Sequence, residues 1–118
     1  MTSILFLDDS PDRAETMLAQ YPETIWVQTA SETIQKLSQE QWHVVCLDHD
    51  LGGETFVDPN REDCGMEVVR WIEQAMPTIG KVIVHTWNYP AAKRMVARLR
   101  RKDYVVILQP FWSSGWSI

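Results

Sequence analysis

The stretch Trp42-His43-Val44-Val45-Cys46-Leu47-Asp48-His49-Asp50 decides how this chain folds. A near-continuous apolar run ends abruptly in carboxylates. Such a run reads as a central strand of a parallel sheet, because helices cover both faces there and the usual polar alternation is lost. The same pattern occurs at Ile4-Leu5-Phe6-Leu7, which ends in Asp8-Asp9, and at Lys81-Val82-Ile83-Val84, which ends in His85-Thr86. Chemistry-bearing side chains therefore stand at the predicted carboxyl ends of three strands. In an open parallel sheet those ends line one crevice, and ligands bind there. Carboxylates crowded into it repel one another, and a divalent cation is the simplest relief at neutral pH.

Helices fill the gaps between these runs. Ser10-Pro11 offers an N-cap and a proline at the first helical position. Ala14, Met17, Leu18 and Tyr21 recur at helical spacing until Pro22 breaks the pattern. Thr24–Gln28 reads as a strand, and Ser31 as the cap of a helix that carries Ile34 and Leu37. From Gly52 to Cys64 no periodicity survives, and a loop of that length tends to be functional. Met66, Val69, Ile72 and Met76 mark a third helix. Pro90 opens a fourth, with Ala92, Met95, Val96 and Leu99 inward. Tyr104–Leu108 is the fifth strand.

The alternation predicts a single α/β domain over residues 1–118, a doubly wound five-stranded parallel sheet lacking its last helix. Residues 109–118 form an aromatic tail in the place of that helix. Phe111, Trp112 and Trp116 are expected to fold back over the face left bare, or to bury in a partner copy and make a homodimer there. An open apolar patch on a monomer would be unusual.

Composition narrows the function. The chain has 118 residues, 45% of them hydrophobic, enough for one core without staples. A formal charge of −5 argues against broad, non-specific nucleic-acid binding. Cys46 and Cys64 read as free thiols. The N-terminus enters a strand at once, leaving no room for a signal peptide. No apolar run approaches the roughly 20 residues of a membrane span. A cytoplasmic location without a membrane partner is expected.

These residues resemble a receiver domain, the flavodoxin-like phosphoacceptor module of two-component signalling. Asp8-Asp9 resembles the receiver metal-binding pair. Asp48 falls where the phosphoacceptor aspartate falls, and Gln109-Pro110 falls where receivers carry Lys-Pro. The combination Leu7-Asp8-Asp9, Leu47-Asp48-His49-Asp50-Leu51-Gly52 and Val84-His85-Thr86-Trp87-Asn88 is similar to the cyclic-phosphate processing receiver family. Its members are stand-alone receiver-like domains, common in phages and bacteria. That family's His-Ser-x-Asn-x-x-Gly appears here as His85-Thr86-Trp87-Asn88-Tyr89-Pro90-Ala91. The resemblance implies action on cyclic or terminal phosphates of nucleotides or RNA ends. Gln109 removes the cation that would contact an aspartyl phosphate.

On this reading Asp8, Asp9 and Asp48 hold Mg²⁺ or Mn²⁺, both of which prefer oxygen ligands. Asp48 and Asp50 join the catalytic set, Asp50 as a further ligand or a general base, and His85 protonates the leaving hydroxyl. Thr86 and Asn88 donate to phosphate oxygens. His49 stands beside the substrate groups, as a contact or as a support for its neighbours. Trp87 stacks a base or simply packs. Lys93 or Arg94 steers a phosphate inward, or belongs to a solvated helix face.

Plainer readings stand beside these. Asp8 and Asp9 favour a helix start, and Asp50-Leu51-Gly52-Gly53 favours a turn. Two other functions fit the same residues: a single-domain response regulator phosphorylated at Asp48, and a degenerate receiver that binds a protein partner.

Overall fold

The computed structural model describes residues 2–111 and 116–118. Strands and helices alternate as β1 (Ile4–Leu7), α1 (Pro11–Gln20), β2 (Ile25–Val27), α2 (Ala30–Gln39), β3 (Trp42–Leu47), α3 (Gly65–Ala75), β4 (Ile79–Val84), α4 (Tyr89–Arg101) and β5 (Val106–Leu108). All strand pairs are parallel, in the order β2-β1-β3-β4-β5. The order reverses direction between β1 and β3, which makes their carboxyl ends the switch point where ligands bind in such sheets.

The period of two in each strand sorts its side chains onto two faces. Leu5, Leu7, Val45 and Leu47 enter one cluster with Leu37 of α2, Val69 and Ile72 of α3, and Met95 and Leu99 of α4. Ile4, Phe6, Val44, Cys46 and Ile83 enter the other with Met17 of α1. Among the described residues no fifth helix covers that second face. Phe111 and Trp116 do so instead, both buried against it. Burying each ring is worth about 2–3 kcal/mol. The tail is stitched down as well as packed: Gln109 N donates to Val84 O, Phe111 N to His85 O, and Trp116 Nε1 to Gln109 O. The cover that a partner copy would have provided at this spot comes from the chain itself. Trp112, expected to share the task, lies outside the described residues.

Element ends depart from expectation where side chains compete to cap. The second helix is capped by Thr29, not Ser31: Thr29 Oγ1 accepts from Glu32 N, and Glu32 Oε1 accepts from the Thr29 hydroxyl. The fourth helix starts at Tyr89 with Asn88 as its cap. The fourth strand starts earlier, at Ile79. Its Gly80 is needed there because a Cβ would stand 2.6 Å from His43 O of β3. The fifth strand is shorter than expected and starts at Val106, after a turn in which Asp103 adopts φ +66. Among the described residues no helix is long and apolar enough to cross a membrane.

Candidate functional site

Strand register builds the site. Leu7 pairs with Leu47 and Leu47 with Val84, so the next residues, Asp8, Asp48 and His85, leave the sheet side by side. Asp48 N donates to Leu7 O, and His85 N to Leu47 O, which carries the ladder one step past the strands. Oxygens of Asp8, Asp9 and Asp48 lie within 4.8 Å of one another. Gly65 holds the Asp48 backbone from behind. Its N donates to His49 O at 2.9 Å, and a Cβ at that position would stand 1.9 Å from Asp48 O.

A cation already sits among these carboxylates. Arg13, in the first turn of α1, donates to both oxygens of Asp8, from Nε at 2.8 Å and from Nη2 at 2.9 Å. The same Nη2 lies 3.7 Å from Asp48 Oδ2 and 3.8 Å from Asp9 Oδ1. One guanidinium therefore faces three carboxylates, and the balance stays negative. Asp48 registers the excess. Burial, then the charge of Asp8, pushes its carboxyl up to about 7, despite the His49 N–H and Arg13. Its Oδ1 accepts from His49 N at 2.8 Å, while Oδ2 lies beyond hydrogen-bond reach of Arg13.

Asp50 has the opposite character. Its oxygens take His49 Nδ1 at 2.8 Å, Asn88 Nδ2 at 3.0 Å, Phe56 N at 2.7 Å and Val57 N at 3.1 Å. Burial works to raise its pKa, but these four donors outweigh it and hold the carboxyl below the ordinary range. A carboxylate so fully engaged has little basicity left, so the expected general-base role does not fit it. Asp50 instead pins the loop after β3 to α4. His49 is wholly buried behind it and presents no surface to a substrate, which corrects its place among the substrate contacts. Among the described residues its Nε2 has no hydrogen-bond partner.

The residues after β4 are equally committed. His85 is buried, stacked on Phe6 with ring centroids 4.9 Å apart and edged by Phe111 and Trp116. Its Nε2 lies 3.1 Å from Leu7 O, which can only accept, so that nitrogen carries the proton. Nδ1 faces Asp8 Oδ2 at 3.7 Å. Burial pushes the imidazole down to about 4. Burial thus works against the protonated ring that the expected acid role requires. Asn88 Oδ1 caps α4 by accepting from Ala91 N, and its Nδ2 serves Asp50. Thr86 Oγ1 accepts from Asn88 N, which leaves its hydroxyl proton to donate.

These groups surround an open cavity of about 500 Å³, lined by Asp9, Arg13, Asp48, Asp50, His85, Thr86 and Asn88 together with Phe56 and Trp87. Asp9 closes one side, its Oδ2 accepting from Gly53 N. Lys93 and Arg94 do not line this cavity, and Lys93 Nζ lies over the Tyr89 ring. Gln109 is turned away, its amide donating to Ser117 O. Arg13 and Phe56 were given no role by sequence reasoning. Arg13 stands five residues after Asp8, a spacing that brings a first-turn side chain back to the strand end. Phe56 left no usable signal inside an aperiodic loop.

An all-oxygen cluster with unrelieved negative charge fits a hard divalent cation such as Mg²⁺ or Mn²⁺. Solved structures share the fold. The response regulator TrrA of Thermotoga maritima, in complex with Mg²⁺ and beryllium fluoride, is 18% identical. The match covers 98% of this chain and 91% of that one, at a TM-score of 0.69. A CheY-like receiver domain protein of Methanospirillum hungatei is 17% identical over 96% of this chain and 85% of that one, at 0.61. A Burkholderia pseudomallei response regulator, solved with a phosphorylated aspartic acid, calcium ion and citrate, is 12% identical at 0.64. The match covers 98% of this chain but only 64% of that one. These likenesses establish the receiver fold. No curated protein sequence matches significantly. The model of one family does match, over residues 3–101, and the chain belongs to that family, the cyclic-phosphate processing receiver domain.

Proposed function

We propose that this receiver domain processes cyclic or terminal phosphates on nucleotides or RNA ends, with a divalent metal held by Asp8, Asp9 and Asp48. The observation that supports it most is the clustering of three carboxylates with excess charge around the Arg13 guanidinium, with Asp9, Asp48 and Arg13 on the cavity wall and Asp8 buried behind them. Bound Mg²⁺ or Mn²⁺ would supply Lewis acidity and an activated water. The chain's own groups do the rest. Arg13 supplies the phosphate-facing charge that Gln109 does not. The Thr86 hydroxyl donates to a phosphoryl oxygen. Asp48 Oδ2 remains the uncommitted acceptor. Asp50, His49 and Asn88 act through position, by fixing the loop and the start of α4. Binding of a phosphate to this acidic cavity depends on the metal, since Arg13 alone cannot balance the carboxylates.

The test is a hydrolysis screen of 2′,3′-cyclic nucleotides and cyclic-phosphate RNA ends with Mg²⁺, Mn²⁺ or EDTA. The expected result is metal-dependent turnover that Asp48→Ala abolishes. Absence of turnover with every metal would overturn the reading.

A second reading draws on the open Oδ2 of Asp48 beside Thr86: phosphorylation of Asp48 in a single-domain regulator. Acetyl phosphate with Mg²⁺ would then add one acid-labile phosphate to wild type and none to Asp48→Ala. The tethered amide of Gln109 counts against this reading.

A further inference from the structure

Seven large hydrophobic side chains are exposed among the described residues, and the aromatic ones are Phe56, Trp87 and Tyr89. They are not scattered. Phe56 and Trp87 come from two different loops and both line the cavity that holds Asp48 and Arg13. Tyr89 follows directly on Asn88 at the start of α4.

Their exposure is built in. Phe56 is 73% exposed, yet it sits at φ +50, a left-handed conformation that a bulky side chain adopts only under constraint. The constraint is visible: Phe56 N and Val57 N both donate to Asp50, and Val57 is buried as an anchor. Trp87 is 65% exposed, but its Nε1 donates to Phe111 O at 2.8 Å, which fixes the indole while its face stays in solvent. Two rings held open at an acidic cavity of about 500 Å³ match a ligand with a flat π system beside its phosphate.

We propose that Phe56 and Trp87 form a base-stacking rim, so that the cavity's ligand is a nucleotide recognised through its base as well as its phosphate. The inference rests on the phosphate-processing reading. Stacking on protein aromatics tolerates any base, so the rim confers a requirement for a base with little preference among the four.

The experiment compares binding of a nucleoside 3′-monophosphate, ribose 5-phosphate and inorganic phosphate in Mg²⁺, by calorimetry, to wild type, Phe56→Leu, Trp87→Ala and Trp87→Phe. Both side chains are exposed, and circular dichroism verifies that each variant is folded. Wild type should bind the nucleotide roughly tenfold more tightly than ribose 5-phosphate. Phe56→Leu and Trp87→Ala should each lose about fivefold for the nucleotide and nothing for inorganic phosphate, while Trp87→Phe retains most of the affinity. Equal affinity for nucleotide and ribose 5-phosphate overturns the rim and leaves the phosphate reading standing; the aromatics would then suit a protein partner. Base-dependent binding without turnover of any cyclic phosphate keeps the rim and removes the catalytic reading. Loss of inorganic phosphate binding in Phe56→Leu or Trp87→Ala also overturns the rim, since the rings would then be shaping the phosphate site.

Discussion

Asp48 and Asp50 stand two residues apart at the end of one strand, yet the fold treats them in opposite ways. Asp48 accepts one backbone hydrogen bond, borders the cavity and has its pKa pushed up to about 7 by burial and by Asp8. Asp50 accepts four and stays ionised. One carboxylate is left electrostatically unsatisfied and the other is saturated. A group kept unsatisfied inside a folded domain costs stability, so its retention points to chemistry. A saturated group is scaffold. Proximity in sequence carries no information about which is which, because hydrogen-bond donors arrive from loops and helices far along the chain.

The contrast can be broken most forcefully at Asp48. Asp48→Ala should lower metal-dependent turnover by roughly 10²–10³-fold or more, and the thermal stabilisation that Mg²⁺ gives wild type should vanish in a melting titration. Asp50→Ala should act on the fold. Stranding the Asn88 amide, His49 Nδ1 and two loop N–H groups is expected to cost about 3 kcal/mol in urea unfolding. The segment after β3 should also become the first site of proteolysis. Wild-type stability in Asp50→Ala would end its role as scaffold.

Asp48→Asn sharpens the comparison from the other side. In metal-free protein it should raise stability at pH 7.5 by roughly 1–3 kcal/mol, because the strained charge is gone. The pH profile gives the sign. Folded Asp48 keeps its proton until about pH 7 against an ordinary 3.8, so its contribution to stability falls as pH rises through that window. Folded His85 refuses a proton above about pH 4 against an ordinary 6.5, so its contribution rises between those values. The two slopes oppose each other in wild type between pH 4 and 6.5. Asp48→Asn removes one, and stability of the metal-free variant should then climb with pH over that range. A profile parallel to wild type would mean Asp48 is not perturbed.

The smallest effect is expected at Arg13. Arg13→Gln should bind Mg²⁺ a few-fold more tightly, because the guanidinium no longer competes for Asp8, and inorganic phosphate about tenfold more weakly. Its metal-free melting temperature should fall and recover on adding Mg²⁺, since the buried Asp8 charge loses its partner. Unchanged affinities for both ions would make Arg13 a structural ion pair alone.

The order of elements and the acidic strand ends were legible because apolar runs, proline and capping residues act over a few neighbouring positions. Asp8, Asp9 and Asp48 come together as expected, since strand ends in a parallel sheet must converge. A general base at Asp50, an acid at His85 and direct substrate contact at His49 fit this geometry poorly, whereas His49 as a support for its neighbours fits it, for one reason: each depends on solvation and on donors supplied by distant segments. His85 looked like a neutral-pH acid until Phe6, Phe111 and Trp116 closed around it. Arg13 was in plain view but carried no label, because its partner Asp8 also suited a helix start.

By itself, then, the sequence determined the parallel α/β scaffold, the switch-point crevice and the acidic character of its floor, all consequences of local periodicity and strand polarity. Only the tertiary structure decided which carboxylate is strained and which is saturated, that Arg13 occupies the cluster, that Phe111 and Trp116 replace a helix, and that Phe56 and Trp87 face solvent at one cavity. Those are properties of burial and of contacts between residues far apart in the chain, and both exist only once the sheet has brought the segments together.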